Sequence, residues 1–119
     1  MAKWEFVEWL LFWLLETSRF EFEWDDGNRH KNAAKHGITT HEAETVFRSG
    51  FAIPLGIQIS PVVPEQRLGL IGPALTGRLL PIAFVIREGR IRIISARPAK
   101  RKERRQYEEI LRKISQRIR

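Results

Sequence analysis

The chain has 119 residues and a net charge of +7, and it contains no cysteine. This length predicts a single domain with a core of its own. The absence of cysteine excludes disulfides, thiolate metal sites and cysteine nucleophiles, and three histidines without a carboxylate cluster argue against a zinc site. We therefore expect no metal and no other cofactor, and the composition suits a reducing cytoplasm.

The net charge lies at one end of the chain. Residues 97–119 contain ten Lys or Arg and three Glu, whereas residues 1–96 contain eleven charged residues of each sign. A localised positive segment favours a polyanionic partner, because its contacts with phosphates release counterions. The same composition is also typical of a solvated helix face. Charge therefore indicates nucleic-acid binding, and by itself it indicates no catalysis.

Residues 1–19 form an apolar segment that contains three of the four Trp residues. We predict a helix over about residues 3–17. The uncharged run from Trp9 to Leu15 is too short to cross a bilayer, and the features of a signal peptide are lacking, so no transmembrane segment is expected. Such an apolar helix must bury itself against its own domain, against a second copy of the chain as a homodimer, or against a membrane surface.

The next part of the chain predicts a strand and two helices. The alternation FEFEW at residues 20–24 is typical of a half-buried strand whose aromatic side chains face the core. A helix would begin at Asp25 or the residue after it and end before Gly37 in a left-handed conformation. A second helix would begin at Thr39 or the residue after it.

The middle of the chain predicts mainly strands. Residues 51–64 carry no charge and contain three prolines, which favours a loop with at best a short edge strand. Residues 66–72 predict a strand, and residues 78–97 predict a β-hairpin with its turn at the sequence EG. Pro81 indicates an edge or a bulge within that hairpin.

The last element is a basic helix that begins near Pro98. Apolar residues recur in it at spacings of three and four, which predicts one packed stripe: Tyr107, Ile110, Leu111, Ile114 and Ile118. The whole order predicts an α+β fold, with a small antiparallel sheet packed by helices on one face and its other face open to RNA. We divide the chain into an N-terminal helical extension, residues 1–19, and a main domain, residues 20–119.

Three arginines stand out because they occupy strand or turn positions: Arg78, Arg92 and Arg97. A guanidinium held on a rigid sheet matches phosphate oxygens and would stabilise the charge of a phosphoryl-transfer transition state. The alternative for each is a salt bridge to an acidic residue such as Glu21 or Glu23.

His36 is the candidate for acid–base chemistry, since an imidazole can accept and return a proton at neutral pH. The alternative is a helix cap, because a cationic ring near a helix C-terminus interacts favourably with the helix dipole.

Four short motifs, taken in order, resemble one family. They are WD at 24–25, NAAKHG at 32–37, RIISAR at 92–97 and ERRQY at 103–107. Over about residues 20–109 the chain is similar to the BrnT family of type II toxin–antitoxin ribonucleases. The resemblance implies a RelE-like fold and a metal-independent, cytoplasmic endoribonuclease that cleaves messenger RNA and arrests growth. It also implies a cognate BrnA-like antitoxin that wraps the toxin and binds operator DNA.

The resemblance also indicates functional residues. The catalytic candidates are His36, Glu42, Arg67, Arg78, Arg92 and Arg97. Positive charge, and not the resemblance alone, adds the candidates for RNA binding, which are Lys31, Lys35, Lys100, Arg101, Arg104 and Arg105. We expect attack by the ribose 2′-hydroxyl, with His36 or Glu42 as the base and the arginines as an electrostatic clamp. Many family members carry a lysine where this chain has Asn28, which leaves the identity of the base open.

Two other functions are compatible with the sequence. One is a nucleic-acid-binding module without catalysis, which the charge distribution and Asn28 favour. The other is a protein-interaction domain that uses the apolar N-terminal helix.

Overall fold

The computed structural model describes residues 2–118, with side chains described up to residue 116. In chain order the elements are β1 (Lys3–Glu5), α1 (Glu8–Glu16), α2 (Lys31–His36), α3 (Thr40–Phe47), β2 (Ile53–Ser60), β3 (Leu68–Pro73), β4 (Leu79–Arg87), β5 (Arg90–Ala96) and α4 (Arg101–Ile118). The strands form one antiparallel sheet in the order β1-β2-β3-β4-β5. The predicted α+β class with a small antiparallel sheet is confirmed.

Strands β3, β4 and β5 form consecutive hairpins, and the β4–β5 hairpin was predicted from the sequence. Its turn is at Glu88 and Gly89, which both have positive φ angles. Pro81 lies within β4, between two paired strands, and not at an edge. Its carbonyl accepts a hydrogen bond from the Arg97 N–H at 3.4 Å, beyond the last residue of β5. The Pro81 nitrogen points to the same neighbouring strand as the Pro81 carbonyl, at a level beyond the end of β5. The missing N–H of Pro81 therefore removes no hydrogen bond from the β4–β5 ladder.

The first two strands correct the sequence prediction. Strand β1 occupies the first residues of the helix predicted over residues 3–17, and β2 occupies most of the loop predicted over residues 51–64. A register shift lies between Pro54 and Gly56, yet burial still alternates along β2 from Ile53 to Gln58. The proline and the glycine at alternate positions favoured a loop in the sequence and hid this strand. The Glu5 carbonyl approaches Gly56 so closely that a Cβ there would lie 2.0 Å from the oxygen. Glycine is therefore needed for β1 to pair with β2.

Residues 20–24 form no full strand, contrary to the prediction. They run beside β5 and exchange two backbone hydrogen bonds with it, from the Glu23 N–H to the Ile91 carbonyl and from the Ile91 N–H to the Glu21 carbonyl, each of 2.8 Å. The three aromatic side chains of this segment pack against the core, as the alternation predicted.

Helix α2 begins at Lys31, later than the predicted Asp25. Two backbone N–H groups donate to the Asp25 carbonyl, so the intervening residues form a turn instead of a helix. Gly37 ends α2 in the left-handed conformation with φ of 68°, as predicted. The Thr39 hydroxyl accepts a hydrogen bond from the Glu42 N–H at 3.1 Å and caps α3, also as predicted.

Helices α1, α2 and α3 lie over one face of the sheet, here called the first face. Its core includes the fully buried side chains of Leu10, Val46, Leu70, Phe84 and Ile93. Because Leu10 comes from α1, the N-terminal segment packs against its own domain, which was one of the three predicted alternatives. No helix within residues 2–118 is both long and apolar enough to cross a membrane.

The outer side of α1 is apolar and exposed. The side chains concerned are Phe6, Trp9, Phe12 and Leu15, which are 44–72 % exposed. The division of the chain into an extension, residues 1–19, and a main domain, residues 20–119, stays a prediction. Residues 1 and 119 themselves lie outside the described residues. Residues on both sides of that division contribute to the same sheet and core.

The opposite, second face of the sheet is partly covered, whereas the sequence predicted that it is open. Tyr107 of α4 packs near Ile71, and its hydroxyl donates to the Phe51 carbonyl at 2.6 Å. The predicted stripe of α4 is therefore only half packed. Tyr107 and Leu111 meet the sheet, Ile110 and Ile114 are exposed, and the Ile118 side chain lies outside the described part.

Candidate active site

Three contacts bring the end of α2, the start of β4 and the start of α4 to one end of the sheet. The Arg78 Nη2 donates to the Gly37 carbonyl at 3.0 Å. The Ala99 N–H donates to the Leu79 carbonyl at 2.9 Å. The Asn32 side chain accepts a hydrogen bond from the last N–H of β5 at 3.1 Å. We call this region the junction.

Glu42 and Arg78 form a paired contact at the junction. Arg78 donates from Nε to Oε2 at 2.8 Å and from Nη2 to Oε1 at 2.5 Å, and the Thr76 hydroxyl also donates to Oε2. The Glu42 side chain is 5 % exposed and that of Arg78 is 41 % exposed. The hydrogen bonds from Arg78, and then that from Thr76, hold the pKa of the Glu42 carboxyl below its ordinary value despite burial. Glu42 therefore fixes the Arg78 guanidinium and remains ionised.

His36 is the last residue of α2 and directly precedes Gly37. It is half-buried, and its ring makes no hydrogen bond to another described side chain or backbone group. The hydrogen bond from the Arg78 side chain to the Gly37 carbonyl places the backbone next to His36 at the junction. Of the predicted catalytic residues, Glu42 and Arg78 are in direct contact, and His36 precedes the glycine that Arg78 contacts.

Arg97 lies at the same end of the sheet but is paired within its own segment. It donates to both carboxylate oxygens of Glu103, from Nη1 at 2.7 Å and from Nη2 at 2.8 Å. Glu103 also accepts the Lys100 N–H at 2.9 Å, and these bonds, chiefly those from Arg97, lower the pKa of its carboxyl. Arg97 therefore fixes the first turn of α4 relative to β5.

The six predicted RNA-binding residues are all exposed: Lys31, Lys35, Lys100, Arg101, Arg104 and Arg105. The first two lie on α2, and the other four lie at the start of α4. A surface groove runs between the β3–β4 turn and α4, and its lining includes Arg78, Arg104 and Tyr107. Cations of three separate elements therefore surround the junction.

Arg67 and Arg92 form a separate group on the second face. Arg92 donates to both Asp25 carboxylate oxygens, at 2.6 and 3.0 Å, and approaches Glu23 at 3.4 Å. The Arg67 Nε is buried without a hydrogen-bond partner among the described residues. Arg97 is five residue steps along the chain from Arg92, which is about 16 Å of extended backbone. The six predicted catalytic residues therefore do not form one constellation.

The structure also gives roles to two asparagines, which sequence reasoning missed. Asn28 is buried, and its amide donates to the Glu23 and Ile93 carbonyls, each at 3.2 Å. Its oxygen accepts the Asp25 N–H at 2.8 Å. Asn28 and Asn32 thus attach the segment before α2 and α2 itself to β5. The two residues satisfy buried backbone groups, and their burial could not be read from a polar stretch of sequence.

Among residues 2–118, no three His, Asp or Glu side chains lie together as a metal site would require.

A family model described as "Ribonuclease toxin, BrnT, of type II toxin-antitoxin system" matches residues 24–103. No curated protein matches the chain. The matched residues run from Trp24 to Glu103 and include the junction, with His36, Glu42 and Arg78, and the β5–α4 connection. They exclude β1, α1 and most of α4. The chain belongs to the BrnT family of ribonuclease toxins of type II toxin–antitoxin systems.

Proposed function

We propose that this chain is a metal-independent endoribonuclease that cleaves messenger RNA at the junction and thereby arrests growth. The observation that supports the proposal is an Arg78 guanidinium that a buried carboxylate holds in place and that bonds to the carbonyl of Gly37, the residue after His36. Exposed cations of α2 and α4 surround the same region. This combination offers a group for proton transfer, a fixed positive charge and a surface for phosphates.

The reaction would proceed by attack of the ribose 2′-hydroxyl on the adjacent phosphorus. His36 takes the proton of the 2′-hydroxyl, and the bond from phosphorus to the 5′-oxygen breaks. The departing 5′-oxygen receives a proton, so the products carry a 2′,3′-cyclic phosphate and a 5′-hydroxyl. Arg78 stabilises the extra negative charge on the phosphate oxygens in the transition state. Chemistry of this kind needs no metal ion.

Between the two predicted bases, the contacts favour His36. The Glu42 carboxylate accepts hydrogen bonds from Arg78 and Thr76, and its lowered pKa makes it a weaker base. We assign Glu42 to the positioning of Arg78. Arg97 positions the start of α4, and Arg67 and Arg92 contact more distant phosphates of the RNA.

The test is cleavage of a labelled messenger RNA in excess EDTA by the full chain and by His36→Asn. General acid–base catalysis contributes about 100-fold to 10,000-fold, so His36→Asn should lose that factor in rate. His41→Asn is the matched control, because His41 is an exposed histidine on the neighbouring helix α3, and it should cleave at the wild-type rate. Undiminished cleavage by His36→Asn would show that His36 is not the base. Loss of cleavage in EDTA would show that the reaction depends on a metal ion.

A non-catalytic RNA-binding module is the second candidate, and the paired states of Arg92 and Arg97 favour it. In that case the labelled RNA would be bound in a salt-sensitive manner and would stay intact.

A type II toxin has a protein antitoxin, and for this chain we propose a BrnA-like antitoxin together with a RelE-like fold. Co-expression should relieve the growth arrest that the toxin alone causes.

The exposed side of α1 is the proposed contact for a homodimer, since Trp9 and Phe12 are 44 and 47 % exposed there. Trp9→Glu should then lower the mass measured in solution from dimer to monomer, and a mass that is monomeric in the wild type would contradict this contact.

A further inference from the structure

We propose that Trp4 is a stacking platform for one nucleobase of the RNA, with Arg67 and Arg92 as contacts for the neighbouring phosphates. The inference deepens the proposed function and rests on its RNA substrate. It adds a binding site on the second face of the sheet, at the part that α4 leaves open.

The Trp4 indole lies flat on the sheet. Three consecutive atoms of its six-membered ring, Cη2, Cζ3 and Cε3, lie 2.8–3.0 Å from the point where a Gly69 Cβ would be. Such similar distances require the ring face, not its edge, to cover Gly69. The opposite ring face therefore points away from the sheet. Because Gly69 has no side chain, an aromatic ring can lie directly on the strand.

Trp4 lies on the second face and outside the core. Leu68 and Leu70 belong to the core of the first face, so Gly69 between them faces the other way. Among the described residues, Trp4 packs in neither hydrophobic cluster, although it is half-buried. Filling of the core thus does not account for this tryptophan.

Two arginines lie on the same face as the ring, in a row across the strands. Val85 pairs with Arg92, and Arg67 precedes Leu68, whose partner is Phe84. Arg67 and Arg92 therefore flank Val85 on the second face. Val85 between them is only 2 % exposed and belongs to neither hydrophobic cluster. The Arg92 side chain is 13 % exposed and the Arg67 Nε is buried, so both side chains lie against the sheet.

Of the two arginines, Arg67 favours a phosphate ligand more strongly, because Arg92 is paired with Asp25 and would share a phosphate with that carboxylate. Arg67 forms no salt bridge in the described part of the chain, and its Nε has no hydrogen-bond partner there. The nearby Glu65 accepts hydrogen bonds from Nε and Nη2 of Arg87, at 2.7 Å each, and does not pair with Arg67. An aromatic face next to a rigid cation is the combination by which sheets bind single-stranded RNA.

The platform combines two parts of the chain. Arg67 and Arg92 lie within the residues that match the BrnT family, whereas Trp4 lies before them. Strand β1 carries Trp4 to Gly69 by pairing with β2. The N-terminal segment thus extends the RNA-binding surface of the family domain.

The test uses a short single-stranded oligonucleotide with 2′-O-methyl groups, which binds without being cleaved because it has no attacking hydroxyl. Trp4→Ala should weaken its affinity by about 5-fold to 150-fold, the range for loss of one base–aromatic stack. Trp4→Phe should retain affinity within about 3-fold, since the smaller ring still stacks. Phe51→Ala is the control, because the Phe51 side chain is an exposed aromatic group outside this row, at 60 % exposure, and it should bind like the wild type.

Fluorescence distinguishes stacking from a structural role. Bound oligonucleotide should quench the tryptophan emission of the wild type, and this quenching should be smaller in Trp4→Phe. The fluorescence test therefore holds even if Trp4→Ala does not fold. Equal quenching in the wild type and Trp4→Phe would overturn the proposal, as would equal affinity of Trp4→Ala and the wild type. A Trp4-dependent affinity in a chain that cleaves no ordinary RNA would leave the platform standing and would refute the proposed ribonuclease activity instead.

Discussion

Asn28 shows how a polar residue of a family motif serves the fold. Its side-chain amide bonds to three backbone groups, two in the segment before α2 and one in β5. No strand ladder supplies these hydrogen bonds, so Asn28 supplies them. Asn28 is buried, with 3 % exposure. A search for the catalytic base should look to the junction and not to this position.

Asn28→Ala should lower the free energy of unfolding by about 1–3 kcal/mol, because it leaves buried carbonyl groups without partners. Urea denaturation measures this change. Asn32→Ala should behave similarly, since its oxygen accepts the Ala96 N–H. An Asn28→Ala protein with unchanged stability but without RNA cleavage would mean that Asn28 acts in the chemistry.

Glu42 makes stability depend on pH. Its pKa is lowered in the folded protein by Arg78 and Thr76, so the folded state binds its proton less readily than the unfolded state does. The stabilisation is therefore complete above the ordinary carboxyl pKa of about 4.3 and is lost as pH falls through the lower folded pKa.

We expect the difference in unfolding free energy between the wild type and Glu42→Gln to be largest near neutral pH and to shrink below about pH 4. Denaturation at a series of pH values measures it. Glu109→Gln is the control, because Glu109 is an exposed helix residue whose contact with Lys113 is 3.8 Å. A constant difference down to low pH would show that the Glu42–Arg78 pair is not ionic.

At the scale of the elements, β1 and α1 are integral to the fold. Strand β1 completes an edge of the sheet, and Leu10 of α1 is fully buried with strand residues. The sequence predicted a helix here because aromatic and leucine residues dominate it, and a three-residue strand has too few residues to show a period. The pairing of β1 depends on Gly56, which is distant in sequence.

Leu10→Ala should lower the free energy of unfolding by about 2–5 kcal/mol, as is usual for a buried leucine. Thermal or urea unfolding measures the loss. Leu15→Ala on the exposed side of the same helix should change it by less than about 0.5 kcal/mol, since Leu15 is 72 % exposed. If the two variants were equally stable, the packing of α1 described above would be wrong.

Helix α4 has two parts with different surroundings. Its first turns are fixed by Arg97, Glu103 and Tyr107, whereas Ile110 and Ile114 further along are exposed. The amphipathic period predicted the helix correctly, but period alone does not reveal how far the sheet extends beneath it. The fixed turns present Arg101, Arg104 and Arg105 to solvent.

Replacing these three arginines by glutamine should weaken RNA binding and flatten its dependence on salt, because each phosphate contact contributes about 0.7 to the logarithmic slope. The triple variant should lose about 2 in slope, measured by titration at several salt concentrations. Arg90→Gln, at the exposed β4–β5 turn on the other end of the sheet, should leave the slope unchanged. An unchanged slope in the triple variant would exclude α4 from the RNA interface.

At the scale of the whole molecule, the sequence correctly predicted the elements whose conformation is set by neighbouring residues in the chain. The β4–β5 hairpin, the left-handed Gly37 and the Thr39 cap each depend on a few adjacent residues. Strand β2 and the packing of α4 on the second face depend on partners far along the chain, so no local pattern reveals them. The same holds for the site, since the residue types suggested six catalytic side chains and the structure separates Arg67 and Arg92 from the junction.

The central claim is that the chain cleaves RNA by attack of a 2′-hydroxyl at the junction. The most direct test compares an RNA that has one mapped cleavage site with the same RNA carrying a single 2′-deoxyribose on the 5′ side of that site, both in excess EDTA. The account predicts that the deoxy substitution alone abolishes cleavage there, and that the unmodified RNA yields a 2′,3′-cyclic phosphate whose formation is slowed in His36→Asn. Cleavage of the deoxy-substituted RNA at the wild-type rate would contradict it.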